Sequence, residues 1–294
     1  MKTNKDISLS DTKLLKRVEE IAREKYCKFK DLLQAIDAGI RVGFAYVTIG
    51  VVSSPLEGFT ELKLGRTADG KEYFKAYFSG PIRSAGTTAG CVVLMLIDYL
   101  RETFGYAKYD PTEDEVRRFV TENYDYHERV NNLQYLPTEE EITFLAKHLP
   151  IQITGEPSEE REVSNYKDLP RNETNFIRGG MCLIFSEGLA QKAQKGWRLL
   201  KGFKDKGYTA TGWDFLEEYI ILHKKREKGT TDTSPTYIKD LVAGRPVFSH
   251  PSRSGGFRFR YGRGRLSGFS ATSVHPATMG ISDSFLSIGT QLKT

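Results

Sequence analysis

Apolar residues near the start of the chain recur three and four positions apart. This spacing predicts one amphipathic helix over residues 11–34, with Ser10 or Asp11 as its cap. The remaining positions of that stretch are rich in Lys, Arg and Glu, which is typical of a face in contact with water. The apolar positions are Leu14, Leu15, Val18, Ile21, Ala22 and Tyr26.

Alternating and β-branched patterns follow. Residues 44–52 are β-branched and aromatic, and Ser53-Ser54-Pro55 ends the stretch. Periodicity leaves open whether these residues form a buried strand or the end of a packed helix. Residues 61–64 and 73–78 flank an Ala-Asp-Gly-Lys turn and predict a β-hairpin. Short strands and loops are expected over residues 150–171.

The strongest apolar run, residues 89–104, predicts a helix at the centre of a core. The loop before it, Gly80 to Thr88, is bracketed by glycines. Free backbone N–H groups at a helix start favour an anion, and Arg83 adds a positive charge beside Ser84. The alternative is an ordinary tight turn capped by Ser84. The loop lacks the Gly-Lys-Ser/Thr ending of a Walker A motif.

Two acidic stretches have the pattern of helix starts. Thr112 is followed by Glu115 and Thr138 by Glu141, the spacing of a capping box. Capping explains these carboxylates more economically than catalysis does. Further along, residues 181–197 are either strand or helix, residues 213–226 are predicted to be helical, and residues 228–236 are the best linker candidate.

The stretch 244–265 is the most distinctive one for binding. No Asp or Glu occurs between Asp240 and Asp283. Residues 257–261 alternate aromatic and arginine, so a strand there would place three aromatics on one face and Arg258 and Arg260 on the other. Arginine matches phosphate oxygens and aromatics stack on bases, whereas the alternative is a solvated basic edge strand. The arginines are Arg245, Arg253, Arg258, Arg260, Arg263 and Arg265.

Composition limits the class of protein. With 294 residues, 39% of them hydrophobic and 28% charged, the chain suits one large globular domain or two ordinary ones. The net charge of +5 is modest, so the local arginine cluster says more about partners than the total does. Cys27, Cys91 and Cys182 form no CxxC pair, which favours a reducing compartment. No signal peptide or membrane role is predicted.

Recognisable catalytic patterns do not occur. The five histidines have no HExxH spacing, and GxSxG is absent. The paired carboxylates that hold divalent ions in polymerases and nucleases are not clustered here. The residues alone therefore predict no catalytic, cofactor or metal site in this chain.

Several sequence blocks together resemble one family, the large catalytic subunit of the archaeal family D DNA polymerase, in its N-terminal part. The resemblance extends from about residue 38 to residue 293 and is weak before that. The blocks occur in this order: FKAYFSGPIRSAGTTAG, YDPTEDEVRRFV, LQYLPTEEEI, ITGEPSEEREVSNYKDLPR, NFIRGGMCLIFSEGLAQKA, AGRPVFSHPSRSGGFRFRYGRGR and HPATMGI…GTQLK.

The resemblance implies replicative DNA synthesis in the cytoplasm by a heterodimer. It implies a large subunit with a double-psi-barrel core like that of multisubunit RNA polymerases, a small proofreading exonuclease subunit and a sliding-clamp partner. Mg²⁺ is expected for the complete polymerase, and zinc in its C-terminal part. Both the catalytic aspartates and the zinc cysteines of the family lie downstream of the matched region, so neither is carried over to this chain.

Two departures from the family pattern stand out. The family has two adjacent glycines where this chain has Gly86-Thr87, and Thr-Glu-Gly where it has Thr48-Ile49-Gly50. The short leader and the ending GTQLKT lead us to expect the product of a split gene, a fragment or a diverged relative.

The sequence therefore predicts an α+β protein with mixed helices and mostly antiparallel sheets. Its expected parts are a helical leader (1–36), a scaffold domain (37–229) and an arginine-rich β segment (230–294) that leads into the catalytic core. The expected function is DNA binding and scaffolding within a DNA-directed DNA polymerase. The residues expected to bind DNA are the six arginines together with Arg83 and Ser84. The alternatives are a stand-alone nucleic-acid-binding accessory protein and, more weakly, a phosphotransferase that uses residues 80–86 as its cradle.

Overall fold

A computed structural model gives the fold in two compact units, Met1–Arg226 and Glu227–Thr294. The structure describes residues 12–47, 57–85, 87–157, 160–205, 211–229, 247–249, 258–260, 285–286 and 292–293. The predicted boundaries at 36/37 and 229/230 stay predictions. No described helix is both long and apolar enough to cross a bilayer.

Two helices replace the single helix predicted over residues 11–34. Helix α1 is Thr12–Ala22 and helix α2 is Leu32–Val47. Glu24 has φ 54°, and the amides of Glu24 and Lys25 donate to the carbonyls of Ile21 and Glu20. This is the Schellman arrangement that ends helices, here without its usual glycine. The prediction of one continuous helix was wrong because a left-handed residue ends α1.

The second helix settles one of the open alternatives. Asp31 caps α2 by accepting a hydrogen bond from the amide of Gln34 at 2.8 Å. Residues 44–47 are the end of this packed helix rather than a strand, and residues 48–52 lie outside the described residues. Tyr26, predicted on the apolar face of the first helix, is 53% exposed in the connection.

The predicted hairpin is confirmed, and it forms most of the sheet in the first unit. Strands β1 (Phe59–Arg66) and β2 (Glu72–Phe78) pair antiparallel. Strand β3 (Gln152–Gly155) adds parallel to β2, so β2 is central in the order β1-β2-β3. The α+β class with mostly antiparallel pairing is confirmed.

Helix α3 (Thr87–Thr103) lies at the centre of the core, as the apolar run predicts. Every residue from Cys91 to Ile97 is at most 4% exposed. A 3₁₀ helix, Gly80–Ala85, precedes it. Because α3 packs against α1, α2 and β2, its burial joins the first helices to the sheet.

Both predicted capping boxes are present, at the starts of α4 (Glu113–Arg129) and α5 (Glu139–His148). The Glu115 amide donates to the Thr112 hydroxyl at 3.2 Å, and the Thr112 amide donates to the Glu115 carboxylate at 2.8 Å. Thr138 and Glu141 repeat the pattern at 3.3 and 2.8 Å. Each box satisfies amides that the first helical turn leaves without partners.

The segment left open between strand and helix is helical. Helix α6 (Gly179–Leu183) continues as a π-helical segment, Ile184–Ala190, and helix α7 (Ala193–Lys204) follows. After a 3₁₀ turn at Thr211–Trp213 comes α8 (Leu216–Gly229), three residues later than predicted. The linker prediction beyond residue 229 lies outside the described residues.

In the second unit the structure describes four short strands. Strands β4 (Val247–Ser249) and β5 (Arg258–Arg260) pair antiparallel, as do β6 (Phe285–Leu286) and β7 (Leu292–Lys293). These described strands form no double-psi barrel.

Candidate nucleic-acid interface

The arginine-rich stretch contains the strand that its alternation predicts. In the β4–β5 ladder Arg258 lies opposite Ser249, Arg260 opposite Val247 and Phe259 opposite Phe248. Residues two apart in a strand hold positions on one face, and cross-strand partners share a face. Arg258 and Arg260 therefore hold positions on one face of the ladder, and Phe259 holds a position on the other.

The partner strand β4 was not predicted from the sequence. Its signal was a Val-Phe pair ten residues before β5, which a search for alternating runs passes over because the strand is so short. The other four arginines predicted to bind DNA lie outside the described residues, and their role stays a prediction. They are Arg245, Arg253, Arg263 and Arg265.

The second predicted contact, Arg83, is in an ion pair within the first unit. Its guanidinium lies 3.0 Å from Oε1 of Glu187 and donates to the carbonyl of Asn132 at 3.1 Å. The Arg83 side chain is 26% exposed and that of Glu187 only 5%. Arg83 thus joins the 3₁₀ helix to the π-helical segment, which is a contact within the scaffold of the first unit. Ser84 lies in the same 3₁₀ helix, and contact of either residue with DNA stays a prediction.

The recess beside Arg83 is small. Its cavity volume is about 10 Å³, room for about one water molecule. It is lined by Ile82, Arg83, Gly90, Leu183, Ile184, Glu187 and Gly188. Its charged groups already pair with each other, so the described part of this loop gives no support to a phosphotransferase cradle.

Burial raises the pKa of the Glu187 carboxyl above its ordinary value of 4.5, although the Gln134 amide and Arg83 act in the opposite direction. Between pH 4.5 and the raised pKa, Glu187 is ionised in the unfolded chain but still protonated in the folded one. Rising pH therefore lowers the free energy of unfolding across this window. We expect the stability of the wild type, measured relative to Glu187→Gln, to be greatest below pH 4.5 and to fall across this window. Urea denaturation at several pH values measures it. Glu128→Gln, at an exposed position of α4, is the control, and an equal pH dependence in both variants would refute the assignment.

A buried ion-pair network holds the sheet, α4 and the start of α6 together. Glu122 accepts a hydrogen bond from Nε of Arg118 at 3.0 Å, and three more from the amide, Nε and NH2 of Arg178 at 2.6, 3.0 and 2.7 Å. All three side chains are at most 2% exposed. Arg178 also donates to Thr154 of β3 at 2.9 Å. We name Arg118, Glu122 and Arg178 the Glu122 network.

A second ion-pair cluster lies at the start of α4. Arg171 pairs with both Asp110 and Glu115, and Glu115 also caps the helix. The carboxylates of both clusters accept hydrogen bonds from arginines, which suits structural anchoring rather than proton transfer. Sequence reasoning missed these clusters because Arg178 and Arg171 lie 56 or 61 residues from the carboxylates that they pair with.

The described residues contain no group of three or more His, Cys, Asp or Glu side chains arranged to hold a metal ion.

Comparison with known proteins matches nearly the whole chain to one kind of protein, a subunit of a multidomain polymerase. Residues 2–222 match the family described as DNA polymerase II large subunit DP2, N-terminal, and residues 224–294 match its central domain. The junction between the two matches lies close to the boundary between the structural units at Arg226 and Glu227.

Individual relatives agree. The DNA polymerase II large subunit of Nanoarchaeum equitans is 41% identical over 95% of this chain and 25% of its own length. Those of Thermoplasma acidophilum and Methanocella arvoryzae are 46% and 44% identical over 93% of this chain and 24% of theirs. The chain belongs to the family of DNA polymerase II large subunits, as the sequence blocks indicate, and spans about a quarter of the length of these curated relatives.

Proposed function

We propose that this chain is the N-terminal portion of the large subunit of a replicative DNA-directed DNA polymerase, where it binds DNA and supports the catalytic core. The observation that carries the proposal is the match of both structural units to consecutive parts of one polymerase subunit. The ladder that holds Arg258 and Arg260 on one face supports the DNA-binding part of it.

The two units have different roles, support for the first and DNA binding for the second. The first unit has an apolar core and a buried ion-pair network, the Glu122 network, that joins its sheet to two helices. We expect this part of the chain to be a rigid support. The second unit carries the β4–β5 ladder with Arg258 and Arg260, which we call the arginine ladder. Guanidinium groups suit phosphate oxygens. Nucleotidyl transfer with Mg²⁺ belongs to the complete polymerase, in whose double-psi-barrel core the catalytic aspartates lie. Zinc belongs to its C-terminal part.

The partners follow from the same proposal. They are DNA, the remainder of the large subunit, the small exonuclease subunit and the sliding clamp, and replication places the assembly in the cytoplasm. We expect the chain to co-purify with the remainder of the large subunit and the small subunit when the three are expressed together. Separate elution of this chain on size-exclusion chromatography would contradict the partner assignment.

DNA binding by the arginine stretch is tested with the variant R258A/R260A/R263A. Each lost phosphate contact lowers the slope of log K against log salt by roughly 0.7–0.9, so three lost contacts lower it by roughly 2–2.7. Fluorescence anisotropy with a primer–template duplex across a salt series measures the slope.

The matched control removes three exposed cations from the first unit, K16A/R66A/K108A. It makes the same change in net charge at a different place, so we expect a much smaller change in slope. A wild-type slope in R258A/R260A/R263A would show that the arginine ladder does not contact phosphates.

A further inference from the structure

Helix α7 carries a row of cations and no carboxylate. Lys195, Arg198, Lys201 and Lys204 follow one another at intervals of three residues. Residues three apart are neighbours on a helix surface, with Cβ atoms roughly 5–6 Å apart. The four side chains therefore form a continuous ridge that winds about half a turn around the helix, which we call the α7 ridge.

The helix is held to the core by another face, which lies opposite Arg198 and borders Lys204. Ala193, Gly196, Leu200 and Phe203 are buried, and α7 packs against α3 and the π-helical segment. At Gly196 an added Cβ would lie 2.4 Å from Sγ of Cys91, so the two helices are in close contact there. The ridge thus stands on a fixed support, which lowers the entropic cost of ordering it on a ligand.

The charges of the ridge are only partly neutralised. Lys195 and Arg198 are exposed and form no ion pair with a described residue. Lys201 lies 3.9 Å from Glu217, both more than half exposed, and Lys204 pairs with Asp214. Exposed pairs of this kind contribute little and can exchange partners. Two cations are therefore available for a ligand and two more can be recruited.

The Trp197 ring restricts the side chains of Lys201 and Lys204. The ammonium groups of Lys201 and Lys204 lie 5.0 and 5.9 Å from the centroid of Trp197, within the range of cation–π contacts. Trp197 is itself half-buried against the core. Lysines that already rest on a ring lose less side-chain freedom when they bind an anion.

We propose that the α7 ridge is a second nucleic-acid contact of this chain, which binds the phosphate backbone without reading sequence. The proposal rests on the proposed function, because it takes DNA as the polyanion, but it concerns a different surface. A protein partner would need an apolar centre in its interface. The large hydrophobic side chains exposed among the described residues are Tyr26, Leu32, Val42, Phe176 and Ile221, none of them on α7.

The test is the double variant K195Q/R198Q of the full chain, compared with R66Q/K108Q. Both remove two exposed cations, so they differ only in place. With a primer–template duplex, loss of two phosphate contacts lowers the salt slope by roughly 1.4–1.8. Between 50 and 200 mM salt the affinity of K195Q/R198Q should then change roughly 7- to 12-fold less than that of the wild type. We expect only a small change in slope for R66Q/K108Q.

The outcomes separate this proposal from the one before it. A reduced slope in K195Q/R198Q, with R66Q/K108Q close to the wild type, supports the ridge even if R258A/R260A/R263A binds normally. Equal slopes in the two glutamine variants overturn the ridge while leaving the arginine ladder untouched. Absence of DNA binding by the wild type overturns both proposals. If K195Q/R198Q lost affinity for poly-L-glutamate but bound DNA like the wild type, the ridge would be a contact for an acidic protein. That result would overturn its role as a nucleic-acid contact.

Discussion

Replacement of Glu122 by alanine is expected to lower the free energy of unfolding of the first unit by about 3–5 kcal/mol. The substitution leaves the guanidinium groups of Arg118 and Arg178 buried without their common carboxylate. An uncompensated buried charge costs far more than the attraction that is lost. Urea denaturation followed by far-UV circular dichroism measures the change.

Two further variants separate the causes. Glu128→Ala removes a carboxylate from an exposed position of the same helix, and we expect a change within about 0.5 kcal/mol. R118L/E122L/R178M removes all three charges, so it should recover a large part of the stability lost in Glu122→Ala. If the triple variant were less stable than Glu122→Ala, the ion pairs of the network and the hydrogen bonds from Arg118 to the carbonyls of Tyr166 and Thr174 would together outweigh the cost of burying the charges, contrary to our explanation.

Gly180→Ala is expected to cost about 3 kcal/mol or more, at the upper end of overpacking effects. An added Cβ at Gly180 would lie 2.1 Å from the carbonyl oxygen of Phe78 and 2.5 Å from the amide nitrogen of Ser79. Both atoms are backbone at the end of β2, so no side-chain rotation relieves the contact. Thermal and urea denaturation measure the loss.

Gly80→Ala is the matched control, because an added Cβ there meets no atom within 4 Å. We expect its stability to stay within about 1 kcal/mol of the wild type, since alanine also restricts the unfolded chain. Similar losses in Gly80→Ala and Gly180→Ala would mean that glycine flexibility, rather than backbone contact, explains the effect.

Both substitutions act on the same junction. Phe78 ends β2 and Thr154 lies in β3, while Arg178 and Gly180 lie at the start of α6. Glu122 contacts Arg178 from α4. Helix α3 packs against strand β2 and the π-helical segment, which both adjoin this junction. The junction is therefore where the helices and the sheet of the first unit are joined.

Local features of this fold were predictable from the sequence. The capping boxes at Thr112 and Thr138 depend on residues three apart, and the hairpin depends on a turn between two short apolar runs. Helix α3 follows from an apolar run long enough to fill a core. The break after α1 was missed because Glu24 occupies a left-handed position where the usual glycine signal is lacking.

The candidate interface was predictable only in part. The alternation around Phe259 gave the strand and the shared face of Arg258 and Arg260, since a period of two is a property of the strand itself. Its partner β4 was too short to show a pattern. The residue type of Arg83 permitted either a contact with phosphate or a contact within the scaffold. The structure shows that Arg83 pairs with Glu187, which lies more than one hundred positions further along the chain.

The sequence by itself determined the local periodicities, the helix caps and, through its ordered blocks, the polymerase family. These are properties of neighbouring residues or of whole matched stretches, so they can be found without knowledge of distant contacts. Only the tertiary structure decided which charges are buried together, as in the Glu122 network, and which cations stay exposed, as on the α7 ridge. Burial and pairing depend on residues brought together by folding, and the local sequence does not carry that information.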